Sequence, residues 1–200
     1  MCFSSGVSIF TFVIGLVFSV LLITYGNPKY SVENRVTDIF FIFISLIQFM
    51  DFLFWMDIQN KYGINRFTTI VGPILNVCQP TILYLIKYFY FRPNLFLLEN
   101  MTVAILNVLY FIYFITMYVK FLSNEKMITG VKHGHLDWTW LKYSNRYFYV
   151  ILLGINLFYL FDIVYAAVLF AITYFFLLIS ATYFQYNVGE LWCFLVLLFR

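Results

Sequence analysis

Charge is the scarcest property of this sequence. Asp, Glu, Lys and Arg make up only 10% of its 200 residues, against roughly a quarter in soluble globular domains. With 64% apolar residues and a mean hydropathy of +0.89, a soluble fold could not hide the remaining surface. Cysteine is also rare. Cys2, Cys78 and Cys193 are an odd number in apolar surroundings, which fits buried thiols and argues against a disulfide framework. With only two histidines, a three-histidine metal site cannot be built from this chain alone. No glycine-rich phosphate loop or Gly-x-Ser-x-Gly elbow occurs. The last apolar run holds no lysine, so a retinal Schiff base of the usual opsin kind has no attachment point, and no cofactor is expected. The net charge of +3 is scattered over the polar connections. It points to lipid head groups rather than nucleic acid as the partner. The first apolar run has no basic lead and no small-residue cleavage motif after it, so it is expected to be a retained span rather than a signal peptide.

What the sequence has in abundance is long apolar runs rich in Phe and Tyr. A bilayer core about 30 Å thick is crossed by about 20 helical residues, so this length leaves room for six or seven crossings. The expected fold is all-α, a single polytopic membrane helix bundle over residues 1–200, with seven transmembrane helices at about 6–25, 39–56, 67–90, 101–122, 147–161, 163–184 and 188–199. The last run is short for a full span and leaves six as the alternative. Polar connections are read at 29–38, 57–66 and 123–146. Pro73 and Pro80 are expected to kink the third helix, and Asp162 marks the turn between the fifth and sixth. With the N-terminus in the cytoplasm, Lys61, Arg66, Lys120, Lys126, Lys132, Lys142 and Arg146 lie inside, against Lys29, Arg35, Lys87, Arg92 and Arg200 outside. That bias favours the N-inside orientation.

Several polar residues stand where lipid would penalise them. Gln48, Asp51, Trp55 and Gln59 recur at spacings of three and four, which places them on one helix face. A carboxylate in mid-membrane is costly, so this face is expected to look inward, either as part of a ligand or ion pathway or as packing glue between helices. Thr69, Gly72, Asn76, Gln79, Lys87 and Tyr90 form a second stripe. Its two amides suit hydrogen bonding in a cavity, or Gln79 only satisfies carbonyls freed by Pro80. Asn107 with Tyr110 and Asn156 with Tyr159 read as interhelical packing. Glu190, beside Trp192 and Cys193, is either an acid at a helix N-terminus or a further member of the inward cluster. His133, His135 and Asp137 lie close enough in sequence to hold a divalent metal. The competing reading is an interfacial loop whose Trp138 and Trp140 sit among head groups.

Met1-Cys2-Phe3-Ser4, the Gln48, Asp51 and Trp55 stripe, Asn76 with Gln79-Pro80, His135 with Trp138, and Trp192-Cys193 resemble a family of uncharacterised multi-pass membrane proteins. Its members begin MCFS or MCWS and occur in bacteria, algae and large DNA viruses. Ile47, Asp51 and Phe52 stand where relatives often carry Gln, Glu and Gly. The resemblance implies a seven-helix fold and no named substrate. The leading expectation is a small transporter, channel or ligand-binding protein, with a small molecule or ion held by Gln48, Asp51, Trp55, Asn76, Gln79 and Glu190. The alternatives are an intramembrane metal-dependent enzyme and a structural protein of a viral or organelle membrane.

Overall fold

The computed structural model describes residues 4–91, 93, 97–124, 126–132, 134–161 and 163–183. Among them are seven α-helices: α1 (Ser5–Tyr25), α2 (Ser31–Met56), α3 (Ile64–Val77), α4 (Gln79–Phe91), α5 (Leu98–Asn124), α6 (Arg146–Leu160) and α7 (Ile163–Tyr183). An antiparallel hairpin of β1 (Gly130–Lys132) and β2 (His135–Asp137) stands between α5 and α6, followed by a 3-10 turn over Thr139–Lys142. The chain is therefore mostly helical, with one small exception to the all-α expectation. Three helical stretches are long and apolar enough to cross a membrane: Ser5–Tyr25, Pro28–Met56 and Leu98–Ser123. A fourth is added if α3 and α4, bent by 60° at their break, count as one. The last expected span at 188–199 and the Asp162 turn lie outside the described residues.

α1 begins where the Ser4 hydroxyl accepts the Val7 N–H and satisfies one of the donors a helix start leaves open. Its buried face is small and weakly polar, made of Ser8, Thr11, Gly15 and Ser19. Small residues let the backbone come close to α2, as lipid-immersed helices need when no hydrophobic force drives them together. Phe10, Val13, Val17 and Val20 point outward. α2 starts at Ser31 and absorbs most of the stretch read as a polar connection over 29–38. Pro28–Tyr30 supplies one 3-10 turn, and Asn27 takes over the capping by accepting the Lys29 N–H.

The turn from α2 to α3 is organised by one carboxylate. Asp57 accepts the backbone N–H groups of Lys61 at 2.7 Å, Tyr62 at 3.1 and 3.2 Å, Ile64 at 2.9 Å and Asn65 at 3.4 Å. Ile64 and Asn65 are the first two residues of α3, so Asp57 caps that helix from seven residues upstream, while Gly63 at φ 77° makes the reversal. Burial pushes the Asp57 carboxyl up, but the four donors outweigh it and hold it below the ordinary carboxylate range. A lowered folded-state pKa stabilises above the unfolded value and is lost as pH falls through the folded one. The turn is therefore expected to loosen below about pH 4, and Asp57→Asn should abolish that acid limb. Amide exchange at Tyr62 and Ile64 across pH 3 to 7 measures it, and an unchanged limb in the variant would remove the carboxylate from the account.

The single third helix expected over 67–90 is broken. Pro73 sits inside a continuous α3, so it does not make the break. Pro80 occupies the second position of α4, where a missing N–H costs nothing, and the chain bends at Cys78. Groups at the break are bonded from neighbouring helices: Tyr110 donates to the Val77 carbonyl at 2.9 Å, and Asn156 Nδ2 to the Pro80 carbonyl at 2.7 Å. α5 runs antiparallel past both halves. Its contacts descend in order, from Tyr118 with the Ile70 carbonyl, through Tyr110 with Val77, to Asn107, which exchanges two amide bonds with Asn156 at 2.9 and 3.0 Å. At the far end Tyr159 bonds Asn100, and Lys87 donates to the Tyr159 carbonyl with its ammonium 3.5 Å from the ring centre.

α6 falls within one residue of the run read at 147–161, and its 15 residues make about 22 Å, short of a bilayer core about 30 Å thick. The Asn145 N–H donates to the Tyr113 hydroxyl midway along α5, and the helix then runs only to the level of Asn100. The remaining depth is filled by the segment that precedes it.

Candidate functional site

The connection over 127–145 turns back into the bundle. Its anchor is Thr129, fully buried, whose N–H donates to Asn65 Oδ1 at 2.8 Å and whose carbonyl accepts Asn65 Nδ2 at 2.8 Å. The side chain of Asn65 thereby pairs with Thr129 as a neighbouring strand would. Thr69, one turn along α3, adds a hydroxyl contact to Thr129 Oγ1 at 3.0 Å. The hairpin beyond this anchor is exposed along β1, and the chain then re-enters with Leu136, Trp138 and Trp140, all buried.

Trp138 and Trp140 were expected at the head groups. Instead Trp140 is 0% exposed, stacked on Trp138 at 5.2 Å and on Phe54 of α2 at 6.2 Å. Its indole edge lies against Gly72 of α3, so close that a Cβ there would come within 2.5 Å. The two indoles fill the wedge between α2 and α3, and the segment behaves as a plug in the bundle. The sequence signal for this was Gly72 itself, a residue without a side chain on an otherwise polar face.

Asp51 is the polar contact of the plug: its Oδ1 accepts the Trp138 indole N–H at 3.1 Å. From Phe54 to Gln48 is about 9 Å along α2, and from Gly72 to Gln79 about 10 Å along α3 and α4, by helical rise. Trp140 touches both Phe54 and Gly72, so Gln48 and Gln79 both lie on the side of it away from the Asp57 turn. Both are buried, at 1% and 0% exposure. Gln79 Oε1 accepts the Tyr149 hydroxyl from the first turn of α6. Gln79 is thus not spent on carbonyls at the break, which Tyr110 and Asn156 serve. Sequence reading had no signal for Tyr149. Asn76 is buried one turn before Gln79, and Trp55 is half-buried with its indole nitrogen enclosed. Lys87, on the same sequence stripe, goes instead to Tyr159, because the bend at Cys78 takes the later positions out of phase.

Among the described residues, the side-chain nitrogens of Gln48 (Nε2), Gln79 (Nε2), Trp55 (Nε1) and Trp140 (Nε1) have no hydrogen-bond partner, and neither do the hydroxyls of Ser45, Thr81 and Thr139. Burying such groups unpaired costs about 1–3 kcal/mol each. Packing glue that bonds nothing does not explain them. Two helices, α4 and α6, also begin at this depth, and helix starts carry unsatisfied N–H groups and a partial positive charge.

The metal reading gains no geometry. Among the described residues no three of His, Cys, Asp and Glu gather where an ion could sit. His133 and Glu190 lie outside those residues, as do Trp192 and Cys193. His135 is placed on β2 opposite Lys132, and Asp137 opposite Gly130. An apolar groove of about 260 Å³ runs along the opposite face of α5, lined by Met101, Ala104, Ile105, Val108 and Leu109, and offers nothing to a polar ligand. No family model, curated protein or solved structure matches this chain.

Proposed function

We propose that this chain is a multi-pass membrane protein that holds a small solute in the middle of the bilayer, between α2, the α3–α4 break and the start of α6, as a small transporter, channel or receptor-like binder. The observation that carries the reading is the set of buried, unpartnered N–H groups on Gln48, Gln79 and Trp140. Discontinuous helices that meet near the midplane are where secondary transporters place their sites, and non-helical backbone at that depth is tolerated where it is buried in protein or lines a cavity. Asp51 orients Trp138, and the 127–145 segment closes the site from the side on which α3 begins.

In this proposal α3 and α4 form one broken span, because α5 accompanies both along its length. α7 and the run at 188–199 complete a seven-helix bundle, with the N-terminus and the plug on the cytoplasmic side. The likeness to the MCFS family belongs to the same proposal. Thr129 is buried and unsuited to labelling, whereas Lys132 is exposed. Lys132→Cys should react with an impermeant maleimide only from the cytoplasmic face, and labelling of intact cells from outside reverses the orientation.

Gln48→Met tests the site. It keeps the length of the side chain and deletes the unpartnered amide. If the amide serves a ligand, the empty protein should unfold at the same denaturant concentration or higher, by up to about 1–2 kcal/mol. A loss of more than about 1 kcal/mol would mean that Gln48 is structural glue, and the site reading would give way to a packing role.

A further inference from the structure

We infer that the solute is uncharged and bears a hydrogen-bond-accepting oxygen, as a small amide or other carbonyl compound does; the inference rests on the site reading above. The orphaned side chains of this site are all uncharged, and the indoles among them fix the donor character. Gln48 Nε2, Gln79 Nε2 and Trp140 Nε1 are all N–H donors in buried residues, and Trp55 Nε1 is a fourth on the same face of α2. The indoles can only donate. A cation brought to Gln48 and Gln79 would meet the start of α4, where the macrodipole is positive. A dehydrated cation needs a ring of oxygens instead.

A bare anion fits the donors, but Asp51 lies on the same face, three residues and about one turn from Gln48. The buried Asp51 carboxyl accepts the Trp138 indole N–H through Oδ1 at 3.1 Å, so it sets an acceptor oxygen beside the donors, and a bare anion brought next to it in a low-dielectric interior is disfavoured. A neutral molecule avoids both conflicts. Its carbonyl oxygen takes the N–H groups of Gln48 and Gln79, and any N–H or O–H it carries finds acceptors in the hydroxyls of Ser45 and Thr81, which are also without partners among the described residues. Trp140, sealed against Gly72 and Phe54, forms the apolar floor.

Acetamide, acetate and ethylammonium are close in size and differ in charge, so they separate the classes. The full chain in lipid nanodiscs is titrated with each to 0.5 M, as the chloride or sodium salt where charged, reading indole emission and the thermal midpoint. Acetamide is expected to give a saturable emission change that Gln48→Met abolishes, while acetate and ethylammonium give only the linear drift seen in that variant. A saturable response to ethylammonium, or to acetate alone, overturns the uncharged class and leaves the site standing. No saturable response to any of the three also overturns it. If Gln48→Met is in addition less stable than the parent, the site reading itself falls.

Discussion

Gly72→Ala is expected to be among the most damaging single-methyl changes available in this protein. The new Cβ would lie 2.5, 2.9 and 3.0 Å from three atoms of the Trp140 six-membered ring. The ring cannot swing away, because Phe54 and Trp138 hold its other side. Overpacking of a filled interior costs about 1–3 kcal/mol, and the upper end applies where the obstacle is a rigid indole with no flexible end to yield. Trp140→Ala, by contrast, removes the obstacle and leaves a void, at about 3–5 kcal/mol. The two changes share one contact, so they should not add. In the Trp140→Ala background, Gly72→Ala should cost little or nothing, a coupling of about 1–3 kcal/mol. Unfolding of the four proteins in mixed micelles measures it. Additive losses would show that the indole and the glycine do not meet, and the plug would have to be redrawn.

The helical class and the helices long and apolar enough to cross a membrane were legible because the apolar runs are unambiguous. α1 falls within one residue of the run read at 6–25, and α5 within three of the run read at 101–122. The break at Cys78 was half legible. Pro80 announces a discontinuity, yet Pro73 announces one equally well, and only the bonds from Tyr110 and Asn156 decide which proline ends a helix. The inward residues Gln48, Asp51 and Gln79 were found from periodicity, since polar groups on an apolar helix have few reasons to be there. Their partners were not. Asp51 meets Trp138 across 87 positions and Gln79 meets Tyr149 across 70, and nothing local encodes such pairs. The plug was misread for a related reason: aromatic residues in a polar connection are as common at a membrane interface as in a re-entrant segment. What separates the two is the cavity waiting on α3, which is visible only once Gly72 and Asn65 are seen to face the same wedge.

The anchor of that plug yields the second large effect. Asn65 is fully buried and makes four hydrogen bonds through one side chain: it donates to the Ile58 carbonyl at 3.1 Å and to the Thr129 carbonyl at 2.8 Å, and it accepts the Thr129 N–H at 2.8 Å and the Thr69 hydroxyl at 3.1 Å. Asn65→Ala strands the carbonyls of Thr129 and Ile58 without that donor, while the Thr129 N–H retains Thr69 Oγ1 at 3.0 Å. Each stranded group costs about 1–3 kcal/mol, so a total loss of about 2–4 kcal/mol is expected. The loss should be local before it is global, because the 127–145 segment is held at its entry by this pairing while the helices keep their own backbone bonds. Leu136, buried at the far side of the hairpin, reports it. With the native cysteines replaced by serine, Leu136→Cys should resist a maleimide in the parent and react in the Asn65→Ala background, while the exposed Lys132→Cys reacts equally in both. If Asn65→Ala lowers stability yet Leu136→Cys stays protected, the segment is held by its tryptophans alone. Thr129 would then be a passenger rather than its latch.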